Sequence, residues 1–322
     1  MKGTSVRMRA ERRVTMELKQ PVNRKKTANF PPELQQARNY FKQKENLLSP
    51  PITRAAYSDR MAWILACMAH LAYDRFEDNR IARKLFIAKL QGGGFSLVKT
   101  FYSKETDTQA FLAKSTEGYA VLAFRGTEIA KRQDVKIDAN ALKVSVLEGR
   151  IHSGFRTAYD SVAQEIEKSV LRLKGIPLYI TGHSLGAALA TVATQRLEHN
   201  FGIREIIAAC YTFGSPRVGD QHYDMEFKSP IYRVVNTTDI VTIIPLLAMG
   251  YIHIGDIRYL GRLEGEFRRG IPFLQRWYLF MLTMFKFFGP IVGDHAIGEY
   301  RRKLEAVAQK RNTGFGRHLD HE

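Results

Sequence analysis

Residues 176–197 read IPLYITGHSLGAALATVATQRL, and the fold turns on them. The run from Ile176 to Thr181 is apolar and β-rich, which predicts a buried strand. The run from Ala187 to Leu197 is built of small and helix-forming residues, which predicts a helix. Between them lies Gly182-His183-Ser184-Leu185-Gly186. A serine on so sharp a strand-to-helix turn holds strained backbone angles, and the glycines Gly182 and Gly186 let strand and helix approach without Cβ clashes. Its Oγ then stands at a helix N-terminus, where the dipole and free N–H groups favour developing negative charge. Ser184 is therefore the candidate nucleophile. His183 adjoins it, but neighbours on such a turn diverge and a base must reach Oγ from across the site, so His183 is read as structural.

Working outward, the same alternation of strand and helix recurs. Upstream, MAWILACMAHLAYDRF (61–76) is apolar enough for a buried helix, and a second helix is expected to end at Gly92-Gly93-Gly94. FSLVKTFYS, TQAFLAKS and EGYAVLAFRGT follow as three consecutive strands, the third central because VLAF is nearly all apolar. Residues 157–173 carry Tyr159, Val162, Ile166, Val170 and Leu173 at helical spacing. Downstream, IREIIAACYTFGSP and IYRVVNTTDIV read as segments ending in loops. The pattern predicts an α/β class with a mostly parallel central sheet flanked by helices.

Five motifs occur in order: FRGT (124–127), HSGF (152–155), GHSLGAALA (182–190), TFGSPRVGD (212–220) and VVNTTDIVTIIP (234–245). Together they resemble the class 3 lipases, relatives of the fungal triacylglycerol lipases, over about residues 57–300. The resemblance implies an α/β-hydrolase fold and carboxylic-ester hydrolysis through a serine acyl-enzyme, with no cofactor and no metal.

In that fold the acid follows the serine and the base follows the acid. Asp239, after the strand-like YRVVN run, matches the family's acid position. Four histidines come later, and His318 and His321 lie in a polar C-terminal stretch unsuited to holding precise geometry. Of the remaining two, His253 lies in GYIHIGD, which resembles a structural strand-turn of the family, while His295 in GDHAIGEY matches its late histidine. His295 is the expected base, and Asp239 rather than the adjacent Asp294 its acid. The oxyanion hole needs two N–H donors: Leu185 follows the nucleophile, and the resemblance places the second at Thr127. Arg125 and Glu128 read as a surface pair, and His152 as a satisfied buried histidine.

Composition bounds the setting. The chain has 322 residues, enough for one large α/β domain, and 49 Lys+Arg against 32 Asp+Glu give a formal charge of +17. Residues 1–50 are polar and basic, with nine basic and two acidic residues between Lys2 and Lys26. They are expected to form a disordered tail ahead of a hydrolase domain at 51–322. The basic N-terminus lacks the apolar stretch of a secretory signal, and Cys67 and Cys210 suit buried thiols better than a disulfide. The expectation is a cytoplasmic protein, peripheral at a membrane. Within the apolar stretch 271–292, RWYLFMLTMFKFFGP (276–290) forms an almost wholly apolar helix pattern with basic residues. Core packing, acyl-pocket lining and contact with an anionic membrane remain its three readings. Residues 128–143, where fungal relatives carry a helical lid, are here charged.

Lipid or another ester is thus the expected substrate class, with peripheral contact to anionic membrane through residues 1–50 and 276–290. Two other classes compete: a catalytically silent lipid-binding scaffold on the same fold, and a nucleic-acid-binding protein using its basic tail. No nucleic-acid motif supports the second.

Overall fold

The computed structural model describes residues 31–47, 50, 56–126, 143–146, 149–225, 227–237, 239–243, 249–261, 267–268 and 295–316. Three expectations fall wholly or partly outside them: the structure of residues 1–30, the donor Thr127 with the charged segment after it, and the apolar stretch 271–292.

The described chain opens with α1 (Pro32–Arg38), a 3-10 turn (Asn39–Asn46), α2 (Asp59–Leu71) and α3 (Arg80–Gly92). β1 (Phe95–Ser103), β2 (Thr108–Ser115) and β3 (Ala120–Phe124) follow, then the short β4 (Lys143–Ser145) and β5 (Arg150–His152). Helices and strands then alternate: α4 (Ser153–Leu171), β6 (Leu178–His183), α5 (Leu185–Glu198), α6 (Phe201–Arg204), β7 (Ile207–Phe213), α7 (Gln221–Met225) and β8 (Ile231–Asn236). After a 3-10 turn at Ile240–Ile243 come β9 (Asp256–Leu260), β10 (Phe267–Arg268) and α8 (Ile297–Gly316).

Eight of these strands form one sheet in the order β1-β2-β3-β6-β7-β8-β9-β10. From β3 through β6, β7 and β8 to β9 neighbours run parallel, while β1-β2-β3 and β9-β10 pair antiparallel. The difference follows from the connections: four residues join β1 to β2, whereas the parallel neighbours need crossovers such as α4 and α5. This is the mostly parallel sheet that the sequence pattern predicts.

Strand residues alternate between two cores. Val121, Ala123, Tyr179 and Tyr211 join one with α2 and α8, while Ala120, Leu122, Phe124 and Ile180 join the other with α4 and α5. A strand apolar on both faces is what a parallel sheet covered twice requires. Because β3, β6, β7 and β8 run parallel, their C-terminal ends lie at one edge of the sheet, which positions the site.

The tail boundary near residue 50 is corrected. Phe41 is 1% exposed and sits in the first core, with ring centroids 6.5 Å from Trp63 and 5.6 Å from Phe95. Tyr40 donates its hydroxyl to the carbonyl of Cys67 at 3.2 Å. Two aromatics suffice to order this polar segment because α2, α3 and β1 offer a formed apolar seat, so the compact unit begins at Pro32. α4 likewise starts earlier than its apolar spacing suggested, at Ser153, because His152 caps it: Nδ1 accepts from Gly154 N at 3.1 Å. Cys67 and Cys210 are free, buried thiols, each pushed up to about 12 by burial. Among the described residues no helix is long and apolar enough to cross a membrane.

Candidate active site

The turn between β6 and α5 is a single residue. Ser184 has φ 56° and ψ −128°, a conformation that costs a side-chain-bearing residue about 1–3 kcal/mol. The surroundings impose it: Ser184 N donates to Phe213 O on β7 at 3.0 Å, while Leu185 already begins the helix. The flanking glycines permit the sharpness. A Cβ on Gly182 would overlap the Gly186 carbonyl, and one on Gly186 would lie 2.8 Å from Arg125 C and overlap Phe124 O. α5 therefore starts hard against the C-terminal end of β3. Gly126, the residue before Thr127, lies against Ser184: a Cβ there would stand 3.2 Å from that of the serine. As the first helical residue, Leu185 carries an N–H with no intrahelical acceptor.

The second half of the site comes from β8 and the start of α8. Asp239 follows β8 and is buried. Its Oδ2 lies 2.8 Å from His295 Nδ1 and accepts the Tyr300 hydroxyl at 2.5 Å, and its Oδ1 accepts Val241 N at 2.9 Å. A carboxylate so surrounded by donors is held as an acceptor, which puts the His295 proton on Nδ1. His295 Nε2 is buried and makes no hydrogen bond to any described residue, so its lone pair is uncommitted. Gly214, one residue beyond the Phe213 carbonyl that holds Ser184, lies directly against the Asp239–His295 pair. Ser184, Asp239 and His295, 111 residues apart in sequence at the extremes, thus converge at one end of the sheet.

Residues 121–249, which span Ser184 and Asp239, match the family described as Lipase (class 3). Over this stretch the chain is similar to the class 3 lipases.

Curated relatives agree. A lipase of Rhizomucor miehei is 31% identical over 170 residues, 50% of this chain and 47% of that protein. A secreted mono- and diacylglycerol lipase A of Penicillium cyclopium is 31% identical over 157 residues, 46% of this chain and 50% of that protein. The chain spans about half the length of the curated relatives it matches. Among solved structures, the native Rhizomucor miehei lipase propeptide complex superposes with a TM-score of 0.52 at 25% identity, covering 64% of this chain and 70% of that one.

Within this fold the remaining sequence candidates take definite places. His183 is buried between Tyr73, whose hydroxyl is 2.8 Å from Nδ1, and the carbonyl of His295, 2.6 Å from Nε2. Burial, and then the neighbouring His295, push its basicity well below that of an ordinary histidine. Of the two late histidines weighed, it is His295 that bonds Asp239. His152 is half-buried rather than buried, stacked on Phe155 at 4.5 Å while capping α4. Arg125 pairs inward: Nη2 reaches Asp107 Oδ1 at 2.7 Å, and Nη1 reaches Gln109 and, at 3.4 Å, Glu77. It ties the exit of β3 to β2 and so helps station Gly126. Glu128 and Asp294 lie outside the described residues.

Two site residues escaped sequence reasoning. Tyr300 bonds Asp239 and accepts Asn236 N at 3.0 Å; burial first, then the Asp239 charge, hold its hydroxyl far above the usual phenol range. Its signal was its place five residues beyond His295, which returns it to the site from the first turn of α8. Tyr73 had no such signal, because only the packing of α2 against β6 brings it there.

Proposed function

We propose that this chain is a serine carboxylic-ester hydrolase acting on lipid esters, with Ser184 as nucleophile, His295 as general base and Asp239 as its acid partner. The observation that carries the reading is the conjunction of a serine at positive φ on the β6–α5 turn with a buried histidine whose Nδ1 is bonded to a buried aspartate. In the proposed reaction His295 Nε2 takes the Ser184 proton as Oγ attacks the ester carbonyl. The leaving alkoxide receives that proton, and water then releases the acyl group by the same relay. Leu185 N–H and Thr127 serve as oxyanion donors, with Leu185 supported by its place at the α5 N-terminus and Thr127 by its neighbour Gly126 beside Ser184. Asp239 supports the imidazolium electrostatically and keeps its tautomer.

For substrate class, similarity to the Penicillium cyclopium mono- and diacylglycerol lipase favours acylglycerols, with phospholipid as the other lipid ester to be compared. We further propose a cytoplasmic enzyme working at an anionic membrane surface through residues 1–30 and 276–290, on the formal charge of +17 and the two free thiols.

The test is hydrolysis of a short-chain p-nitrophenyl ester by the wild type and Ser184→Ala, then of diacylglycerol and phospholipid vesicles. Activity abolished by the substitution supports the reading; a folded wild type inert on every ester refutes it. Removing residues 1–30 is expected to lower activity on anionic vesicles, in a salt-sensitive way, and to spare the soluble ester. Equal activity on both would remove the docking role.

A further inference from the structure

We infer that His183 and Tyr73 form a hydrogen-bonded relay that fixes the backbone of His295 to the turn bearing Ser184, making both of them positioning residues for the base. The inference rests on the proposed function and deepens it.

The chemistry of the acceptor decides the direction of the relay. The His295 carbonyl offers only lone pairs, so His183 Nε2, 2.6 Å away, must carry the proton and donate. Nδ1 of the same neutral ring is then bare, and the Tyr73 hydroxyl at 2.8 Å donates to it. Geometry alone thus selects one neutral tautomer, and the burial that suppresses protonation of this ring acts in the same sense.

The relay does something the acid does not. Asp239 grips His295 through the ring, which sets the direction of Nε2 but leaves the backbone of a residue just ahead of α8 to other restraints. His183 supplies one, and it is the residue immediately before Ser184 on β6. Base and nucleophile are therefore joined through one hydrogen bond and one peptide unit. The rings of His183 and His295 also lie 4.5 Å apart at 35°, so a neutral His183 faces the imidazolium that forms during acylation without opposing its charge. Tyr73 anchors the far end, its oxygen being the nearest atom to a Cβ built on Gly126, beside Ser184. A misplacement of about 1 Å between reacting groups costs on the order of 10²-fold in rate, which is the scale on which such a restraint acts.

The experiment compares His183→Phe, which keeps a ring and removes both nitrogens, His183→Gln, which restores an N–H of similar reach, and Tyr73→Phe. The readouts are kcat and KM on a soluble p-nitrophenyl ester, the rate of Ser184 labelling by a fluorophosphonate, urea unfolding, and nitrogen NMR of the wild-type histidines. We expect His183→Phe to lose about 10²-fold in kcat with KM within about twofold, at conditions where it is folded. His183→Gln should recover about tenfold of that loss, and Tyr73→Phe should lose about tenfold. NMR should show His183 neutral with its proton on Nε2. A folded His183→Phe within about threefold of wild-type kcat, or equal losses in the Phe and Gln variants, overturns the relay. If His183→Phe does not fold, Tyr73→Phe, which removes one hydroxyl at a half-buried position, decides by the same kcat criterion. A wild type that neither hydrolyses ester nor labels at Ser184 sinks the proposed function instead, and the NMR tautomer still confirms or overturns the hydrogen-bonded relay.

Discussion

Replacing Gly214 by alanine adds one methyl group at the point where Asp239 and His295, the proposed acid and base, meet. A Cβ there would stand 2.7 Å from Asp239 Oδ2, 3.0 Å from His295 Cε1 and 3.1 Å from His295 Nδ1. Carbon and carboxylate oxygen rest at roughly 3.3 Å, so the carboxylate must retreat by about 0.6 Å. That exceeds the tolerance of about 0.5 Å within which a catalytic constellation stays productive. Gly214 also holds φ +57°, where a side chain costs about 1–2 kcal/mol, and the overpacking adds about 1–3 kcal/mol. The expected outcome is a folded enzyme destabilised by about 2–5 kcal/mol, with kcat reduced on the order of 10²-fold on a soluble ester. Gly175→Ala is the control, since Gly175 has φ +86° and a Cβ there meets nothing within 4 Å. It should show the backbone cost alone and wild-type kcat. Urea denaturation of the three proteins separates the two stability costs, and initial rates give kcat. A folded Gly214→Ala that hydrolyses within about threefold of wild type would refute the placement of the Asp239–His295 pair against Gly214.

Three further outcomes follow from the same geometry. Ser184→Gly should abolish hydrolysis yet unfold at higher urea than Ser184→Ala, by about 1 kcal/mol, because glycine relieves the strain at φ 56°; a less stable glycine variant would contradict that strain. Tyr300→Phe removes a donor to a carboxylate and strands Asn236 N–H, so stability should fall by about 2–3 kcal/mol and kcat/KM should fall with it, checked by denaturation and steady-state rates. Stability should also decline on acidification. An unfolded histidine protonates near about 6.5, whereas folded His70, buried and beside Arg301, does so at about 4, and His183 lies well below its ordinary value. Between those limits the unfolded chain binds more protons, so stability is full above the unfolded value and is lost as pH falls, by at most about 1.4 kcal/mol per pH unit for each histidine. Unfolding curves from neutral to mildly acidic pH measure the slope, and His70→Asn should flatten it by about one proton.

Features that depend on local order were legible in the chain alone. Residues 176–197 carry the strand, turn and helix around the proposed nucleophile Ser184, because period, glycine placement and small side chains act over a few residues. The sheet class followed from repeating that alternation, and the order of acid and base followed from the motifs. Contacts between distant segments came from packing. Polar composition hid the burial of Phe41, since the seat for its ring is made by α2, α3 and β1 together. His152 read as buried from its motif, but α4 begins beside it and makes it a cap at a half-open position. Tyr73 and His183 are joined by a hydrogen bond across 110 residues, which no local pattern can encode. Asp239 and His295, 56 residues apart, were chosen by chain order, but the 2.8 Å between them exists because β8 and α8 deliver them to the same end of one sheet. Chain connectivity sets which residues are available there, and packing sets which of them touch.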